Sequence, residues 1–386
     1  MKRHPIFFAL LTGALILGGC GTRQAEESTG SSGREIKVAK PAEVRAKFDG
    51  YTINDVARYL SGRTEKLPEV FAKHVADARY QNVKRQLDAA WAKYEAGHLA
   101  PMRKWNEKVA PVVTEDIFYP FGGPDATHPA TLYPKAKRYT LIGLEAFGQV
   151  PDPLQVTPAV AGARVATIHQ AMRFVLGVNF FRTNSMRVQI GSNPYNGVVS
   201  ILLLFLSRMD MEIIDAYPIA ISPEGQLVPA DTGVGKATGT RIIFRRPEGG
   251  ALREMNFIQT NIADGGVASN PPLKAFLDGR RDVTTMLKAA SFLLHRTNFS
   301  LVRQTILNQS KTIISDPSGM PFRFLNNANW KLTPYGNYIK TIPLFRARYE
   351  ADRRRYYAKT KAEPLPFKYG YHPTFYSLIV AERTGQ

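Results

Sequence analysis

This chain of 386 residues holds a single cysteine, Cys20. That count constrains folding more than any other feature, because no internal disulfide can close and no cysteine-rich metal site can staple the chain. Whatever structure forms must stand on buried apolar side chains. With 44% apolar and 11% aromatic residues the material for a sizeable core is present, enough to set against the entropy of ordering so long a chain. No repeat of fixed period, low-complexity break or charge block divides residues 36–386, so one globular domain is expected there.

The cysteine also sits in a marked place. Lys2 and Arg3 make a short positive leader and Ile6 to Leu17 is almost wholly apolar, the length of a signal-peptide core and too short to span a bilayer as a settled helix. Residues 1–19 therefore read as a leader. Leu17-Gly18-Gly19-Cys20 resembles the lipobox of bacterial lipoproteins, with a leucine three positions ahead of the cysteine and small residues between. The resemblance implies cleavage before Cys20, a diacylglyceryl thioether on its sulfur and further acylation, such as palmitate, on the freed amine. At about 0.8 kcal/mol per buried methylene, one chain holds a protein weakly and two or more hold it stably. Residues 20–35, polar and Gly/Ser-rich, read as a flexible tether. Gly21 stands where, in many Gram-negative lipoproteins, aspartate favours inner-membrane retention, which points by the same resemblance to the outer membrane.

Charge narrows the partners. The whole chain carries +19, and loss of Lys2 and Arg3 with the leader leaves +17. Such an excess implies an anionic neighbourhood: lipid headgroups, acidic polysaccharide or an acidic envelope protein. Nucleic acid, the usual partner at this charge, is not expected outside the cytosol.

Periodicity sets the elements. Val83, Leu87, Trp91 and Tyr94 share one face of a helix expected from about Pro68 to Ala96, and Val165, Ile168, Met172 and Val175 one from about Ala161 to Leu176. The run Val198 to Leu206, after the turn cluster NPYNG, reads as a buried helix. Arg241 to Ile262 reads as two strands around a Pro247–Gly250 turn, with extended segments at Tyr139–Leu144, Glu212–Ile221 and Met320–Leu325. Helical spacing returns at Met286, Leu287, Ala290, Leu293 and Leu294, and Asn298 is placed to cap a helix through about Asn308. The expected fold class is α+β: a mixed, largely antiparallel sheet with flanking helices and a helical N-terminal part.

Three stretches offer chemistry. In FYPFGGPDATHP, glycines and prolines frame Asp125 and His128 in what reads as a tight, exposed turn. The two residues, or one of them with Glu145, could supply acid–base catalysis, but a metal site needs more ligands than they provide, and an Asx-type turn with a surface histidine is the favoured expectation. From Ser315 to Tyr338, Arg323, Asn326, Trp330 and Tyr335 mix amides with aromatic faces, as a carbohydrate or peptide site does and as a loop packed on a sheet also does. From Arg346 to Lys361 there are seven basic and two acidic residues. If helical, Tyr349, Arg353, Tyr356 and Tyr357 share a side, and Arg353, Arg354, Arg355 and Lys359 offer cations to an anionic surface, or merely a solvated face.

Other motifs fail. DTGVGKATG from Asp231 lacks both the P-loop spacing and the hydroxyl residue after Gly-Lys, and no G-x-S-x-G, S-x-x-K or H-E-x-x-H occurs. No cofactor is implied. FYPFGGPD at Phe118, DPSGMPFRF at Asp316 and PLPFKYGY at Pro364 together resemble an uncharacterised family of exported bacterial proteins, many of them lipoproteins. The resemblance covers most of the chain beyond the leader and implies no established fold, activity or catalytic residue, and ATHPATLYP after Asp125 departs from its pattern. Two functions remain open: a lipid-anchored envelope protein that binds or scaffolds an anionic component or partner protein, and an envelope hydrolase acting on a polysaccharide or lipid-linked substrate through Asp125 with His128 or Glu145.

Overall fold

The structure, a computed structural model, describes residues 38, 45–109, 115–178, 195, 197–247 and 249–385. The expected leader, Cys20 and the tether lie outside the described residues, as do most of the NPYNG turn and Glu248 of the hairpin turn. Residues 36–386 form one unit.

Its first half runs α1 (Ile53–Leu60), α2 (Ala72–Ala76), α3 (Ala78–Tyr94), α4 (Ala100–Val109), β1 (Asp116–Tyr119), α5 (Thr127–Leu132), β2 (Arg138–Gly143), α6 (Pro158–Val178) and α7 (Val198–Arg208). Then follow β3 (Glu212–Ile221), β4 (Leu227–Pro229), β5 (Gly239–Arg245), β6 (Arg253–Gln259), α8 (Asp264–Ala268), α9 (Pro271–Asp278), β7 (Val283–Leu287), α10 (Ser300–Gln309), β8 (Ser310–Ser315), α11 (Phe322–Leu325), β9 (Trp330–Gly336), α12 (Ala351–Lys359) and β10 (Ser377–Arg383). The fold is α+β, a mixed ten-stranded sheet with flanking helices and a helical N-terminal part. Among the described residues no helix is long and apolar enough to cross a membrane.

Strand order is β4-β3-β5-β6-β2-β1-β7-β8-β10-β9. Five pairings are antiparallel and four parallel, and the parallel ones are contiguous at the centre, from β6 through β2, β1 and β7 to β8. Alternate side chains enter opposite layers, as the pleat requires. Tyr119, Met286, Ile314, Leu378 and Val380 pack under α1, α3, α4, α6 and α7. Phe118, Leu287, Ile313, Ile379 and Ala381 pack against α9, α10, α11 and α12. Helix α7 is buried from Val198 to Ser207, which is why its sequence is apolar on every side.

Local chemistry sets the helix ends. Thr52 and Asp55 form a reciprocal capping box at the start of α1, and Asp77 accepts from the Tyr80 amide at the start of α3. Asp77 therefore breaks the helix expected from Pro68, leaving α2 before it, while a π turn over Glu95–Leu99 carries the chain from α3 into α4.

Three expectations are corrected. The helical spacing from Met286 to Leu294 belongs instead to β7 and the loop after it: VTTML is buried on both faces, and a strand so enclosed loses the alternation that would mark it. Met320–Leu325 is not extended but ends in the helical turn α11. Asn298 does not cap α10, whose first amides, those of Ser300 and Leu301, donate to the Asp264 carboxylate at 3.1 and 2.9 Å.

Candidate functional site

The central parallel strands bring their C-terminal ends together, and four of the loops that leave them carry charged side chains. Asp125 and His128 follow β1, Glu145 follows β2, Lys288 directly follows β7 and Asp316 directly follows β8. The chain passes from β1 to β2 on one side and continues from β7 to β8 on the other. The gap between β1 and β7 is therefore the point where strand order reverses, where open sheets with parallel strands characteristically hold ligands.

Asp125, His128 and Lys288 meet there. Nδ1 of His128 lies 2.8 Å from the Asp125 carboxylate and Nζ of Lys288 donates to the other carboxylate oxygen at 2.9 Å. Thr127 Oγ1 and Tyr119 OH also donate to that carboxylate, at 3.0 and 3.2 Å. On the far side of the imidazole, Nε2 of His128 is 2.8 Å from Nε2 of His98, which the π turn Glu95–Leu99 presents. Because a carboxylate only accepts, the contact of Nδ1 to Asp125 fits a proton on Nδ1, so that His98 donates to an accepting Nε2. All three central side chains are at most 3% exposed. The expected exposed turn with a surface histidine is thus a buried segment, its imidazole enclosed by rings and charges.

Burial sets the protonation states. It pushes both imidazoles down, His98 to about 2, and the neighbouring Lys288 ammonium adds to the effect on each. Burial alone would raise Asp125, but His128 and Lys288 beside it hold the carboxyl well below the usual range. Lys288 is lowered by burial against the pull of Asp125. Asp316 is pushed up to about 6 by burial, opposed by its hydrogen bond from Ser318. The cluster at neutral pH is therefore an ammonium–carboxylate pair flanked by two neutral imidazoles.

The three motifs FYPFGGPD, DPSGMPFRF and PLPFKYGY converge on this point. From the first come Tyr119 and Asp125. From the second comes Asp316, whose carboxylate accepts from Ser318 Oγ at 2.7 Å and from the Ala289 amide, next to Lys288, at 3.2 Å. From the third come Phe367 and Tyr369, edge-on to His98 and His128 with ring centres 6.0 and 6.3 Å apart. Gly370 adopts a φ of +87°, and a Cβ there would fall on the Asp316 carboxylate, so both backbone and space demand glycine. Ala289, Ser291 and Phe292 hold left-handed φ angles of 50, 51 and 55°, a concentration of strain that only firmly packed surroundings maintain. A cavity of about 30 Å³ opens beside Asp316, lined by Phe292, Tyr338, Phe345, Tyr369 and Tyr371.

Glu145 is buried at 4% exposure against Gly123 and Gly143 and makes no hydrogen bond to Asp125 or His128 among the described residues. The other candidates separate. Arg323 and Asn326 are exposed, Arg323 lying over the Phe324 ring at 4.8 Å. Trp330 and Tyr335, five apart on β9, point into opposite layers, so the four do not line one mouth. Tyr335 instead meets Trp105 edge-on, beside a groove of 820 Å³ bordered by Lys104, Lys108 and Glu363. Arg353, expected on an anion-binding face, is fully buried: its Nε donates to Glu350 at 2.7 Å and its guanidinium to the Met320 carbonyl at 2.8 Å. Tyr357 is buried with it, so the shared basic-aromatic face of α12 turns inward, while Arg354 is half-buried and Arg355 and Lys359 are exposed.

Sequence reasoning missed Lys288, Asp316 and His98. Lys288 ends a run of five buried strand residues, and a lysine closing such a run is a signal once the strand is recognised. Among the described residues no group of three or more His, Cys, Asp or Glu is placed to hold a metal ion. Compared with protein-family models, curated proteins and solved structures, the chain matches none.

Proposed function

We propose that this chain is a lipid-anchored protein of the bacterial cell envelope, held through Cys20 at the outer membrane, and that its folded part binds an anionic envelope component or partner protein through a basic surface. The lipobox-like stretch and the three motifs shared with exported proteins support the anchoring. The observation that carries the binding reading is where charge is satisfied. Exposed Arg346, Arg348, Lys359 and Lys361 have no carboxylate within ion-pair distance among the described residues, whereas Asp125 and Lys288 are paired with each other and shut away. Cations left unpaired on the outside attract anions from the surroundings.

The hydrolase reading with Asp125 and His128 as acid and base is favoured by one observation, their location at the strand-order reversal. Against it, both nitrogens of His128 are occupied by protein partners and its side chain has no exposure. The two readings part in one experiment. Retention of the unacylated Cys20→Ala protein on phosphatidylglycerol vesicles or acidic polysaccharide is expected to fall steeply as salt rises, and to fall at low salt in Arg348→Glu/Lys359→Glu. Salt-insensitive retention contradicts the binding reading, and hydrolysis of an envelope glycan or lipid extract that disappears in His128→Gln establishes the other.

A further inference from the structure

We infer that the segment Pro343–Tyr349 is a membrane contact in its own right, which seats the folded domain on an anionic bilayer. This rests on the envelope-anchored reading and names the partner of its basic surface. Six large apolar side chains are substantially exposed among the described residues, and Leu344, at 79%, is the most exposed of them. Tyr349, at 44%, lies in the same segment, while Val70, Leu144, Val160 and Val234 are scattered. Isolated exposed apolar residues are ordinary. Leu344 differs in how it is held and what surrounds it.

The 3₁₀ segment Pro343–Arg348 is pinned from below, since the Phe345 ring packs on Phe292 and Tyr371 with centres 4.8 and 5.1 Å apart. Tyr349 stacks on the buried Tyr338 at 5.9 Å. Immediately before the first of these fixed rings the chain displays Leu344 to solvent. Around it, Lys340, Arg346 and Arg348 are exposed and none has a carboxylate within ion-pair distance among the described residues. The segment runs directly into α12, whose outward residues add Lys359, while Arg355 there is ion-paired with Asp352.

An exposed apolar side chain flanked along the chain by exposed cations matches the edge of an anionic bilayer: guanidinium groups meet headgroup phosphates while the leucine enters the acyl boundary. An acidic polysaccharide would satisfy the cations but leave Leu344 in water. The contact need not be strong, because an acyl anchor on the same chain raises its effective concentration at the surface.

The test uses the absence of any other cysteine. Leu344→Cys in the full-length lipidated protein is labelled with an environment-sensitive dye and placed on vesicles of phosphatidylglycerol and phosphatidylethanolamine, or of phosphatidylcholine alone. Expected are blue-shifted emission and quenching by nitroxide-labelled lipid on the anionic vesicles, reversed by Arg346→Glu/Arg348→Glu, with a Leu144→Cys probe remaining water-like. Emission at position 344 that stays water-like on anionic vesicles overturns the inference, as does retention on acidic polysaccharide alone. The unsubstituted protein separates the two readings: dye uptake there means Cys20 is free and the anchoring has failed, while the Leu344→Cys probe in a Cys20→Ala background, with vesicles added, still reports on the segment. In that background the double charge reversal is expected to weaken vesicle binding about tenfold or more.

Discussion

Lys288 occupies the position from which the buried cluster is most easily undone. Among the described residues its ammonium is the one positive charge hydrogen-bonded to the Asp125 carboxylate, and without it the buried carboxylate keeps only neutral donors, from His128, Thr127 and Tyr119, to face its charge. Lys288→Met is therefore expected to destabilise the protein by about 3–5 kcal/mol, read as a lower urea midpoint, and Asp125→Leu/Lys288→Met by much less than the two single changes summed. Additive losses would show that the pair is not coupled. Asp125 and His128 were legible as a pair because they stand only three positions apart along the chain. Their third member lies 160 residues from His128, and no local pattern reports a partner at that distance. Arg353 shows the converse failure. A run of arginines reads as a solvated face, yet Glu350, the Met320 carbonyl and the rings of Phe322 and Tyr338 draw one of them fully inside.

At the scale of elements, α10 depends on a residue far from it in sequence. The Asp264 carboxylate accepts from the Ser300 and Leu301 amides and from Ser300 Oγ, satisfying amides that the helix itself cannot and placing negative charge at its N-terminal dipole. Asp264→Ala is expected to cost about 1–2 kcal/mol, whereas Asn298→Ala, which removes the cap that the sequence suggests, should leave the urea midpoint unchanged. Equal effects would return the cap to Asn298. The hairpin of β5 and β6 was legible from its Pro-Glu-Gly-Gly turn, although both strands are buried on both faces, and helix α6 and the end of α3 fall close to where their periodicity puts them. The central parallel strand β7 was not, because burial on both faces erases the alternation that distinguishes strand from helix. With β7 misread, the reversal point next to it and the charges gathered there were beyond the reach of sequence patterning.

For the whole molecule, the buried titratable groups make stability depend on pH. His98 and His128 are held below the ordinary imidazole value of about 6.5, so below that pH the unfolded chain binds protons that the folded one refuses. Each then removes up to about 1.4 kcal/mol per pH unit as acidity increases. Asp316, raised to about 6, acts oppositely: its folded form takes a proton first as pH falls from about 6 towards its unfolded value near 3.9, which offsets part of the loss. The urea midpoint should therefore decline between pH 6.5 and pH 5, more steeply in Asp316→Asn, and a flat profile would contradict the neutral imidazoles. The sheet order carries a consequence for biosynthesis. Although β10 comes after the other nine described strands in the chain, it lies between β8 and β9. Until Arg383 has emerged, those two neighbours present bare backbone to one another across a missing member, and the nascent polypeptide cannot settle into its finished form. A premature stop at or just before Ser377 would yield a protein with a hole in its sheet and not one with a shortened tail.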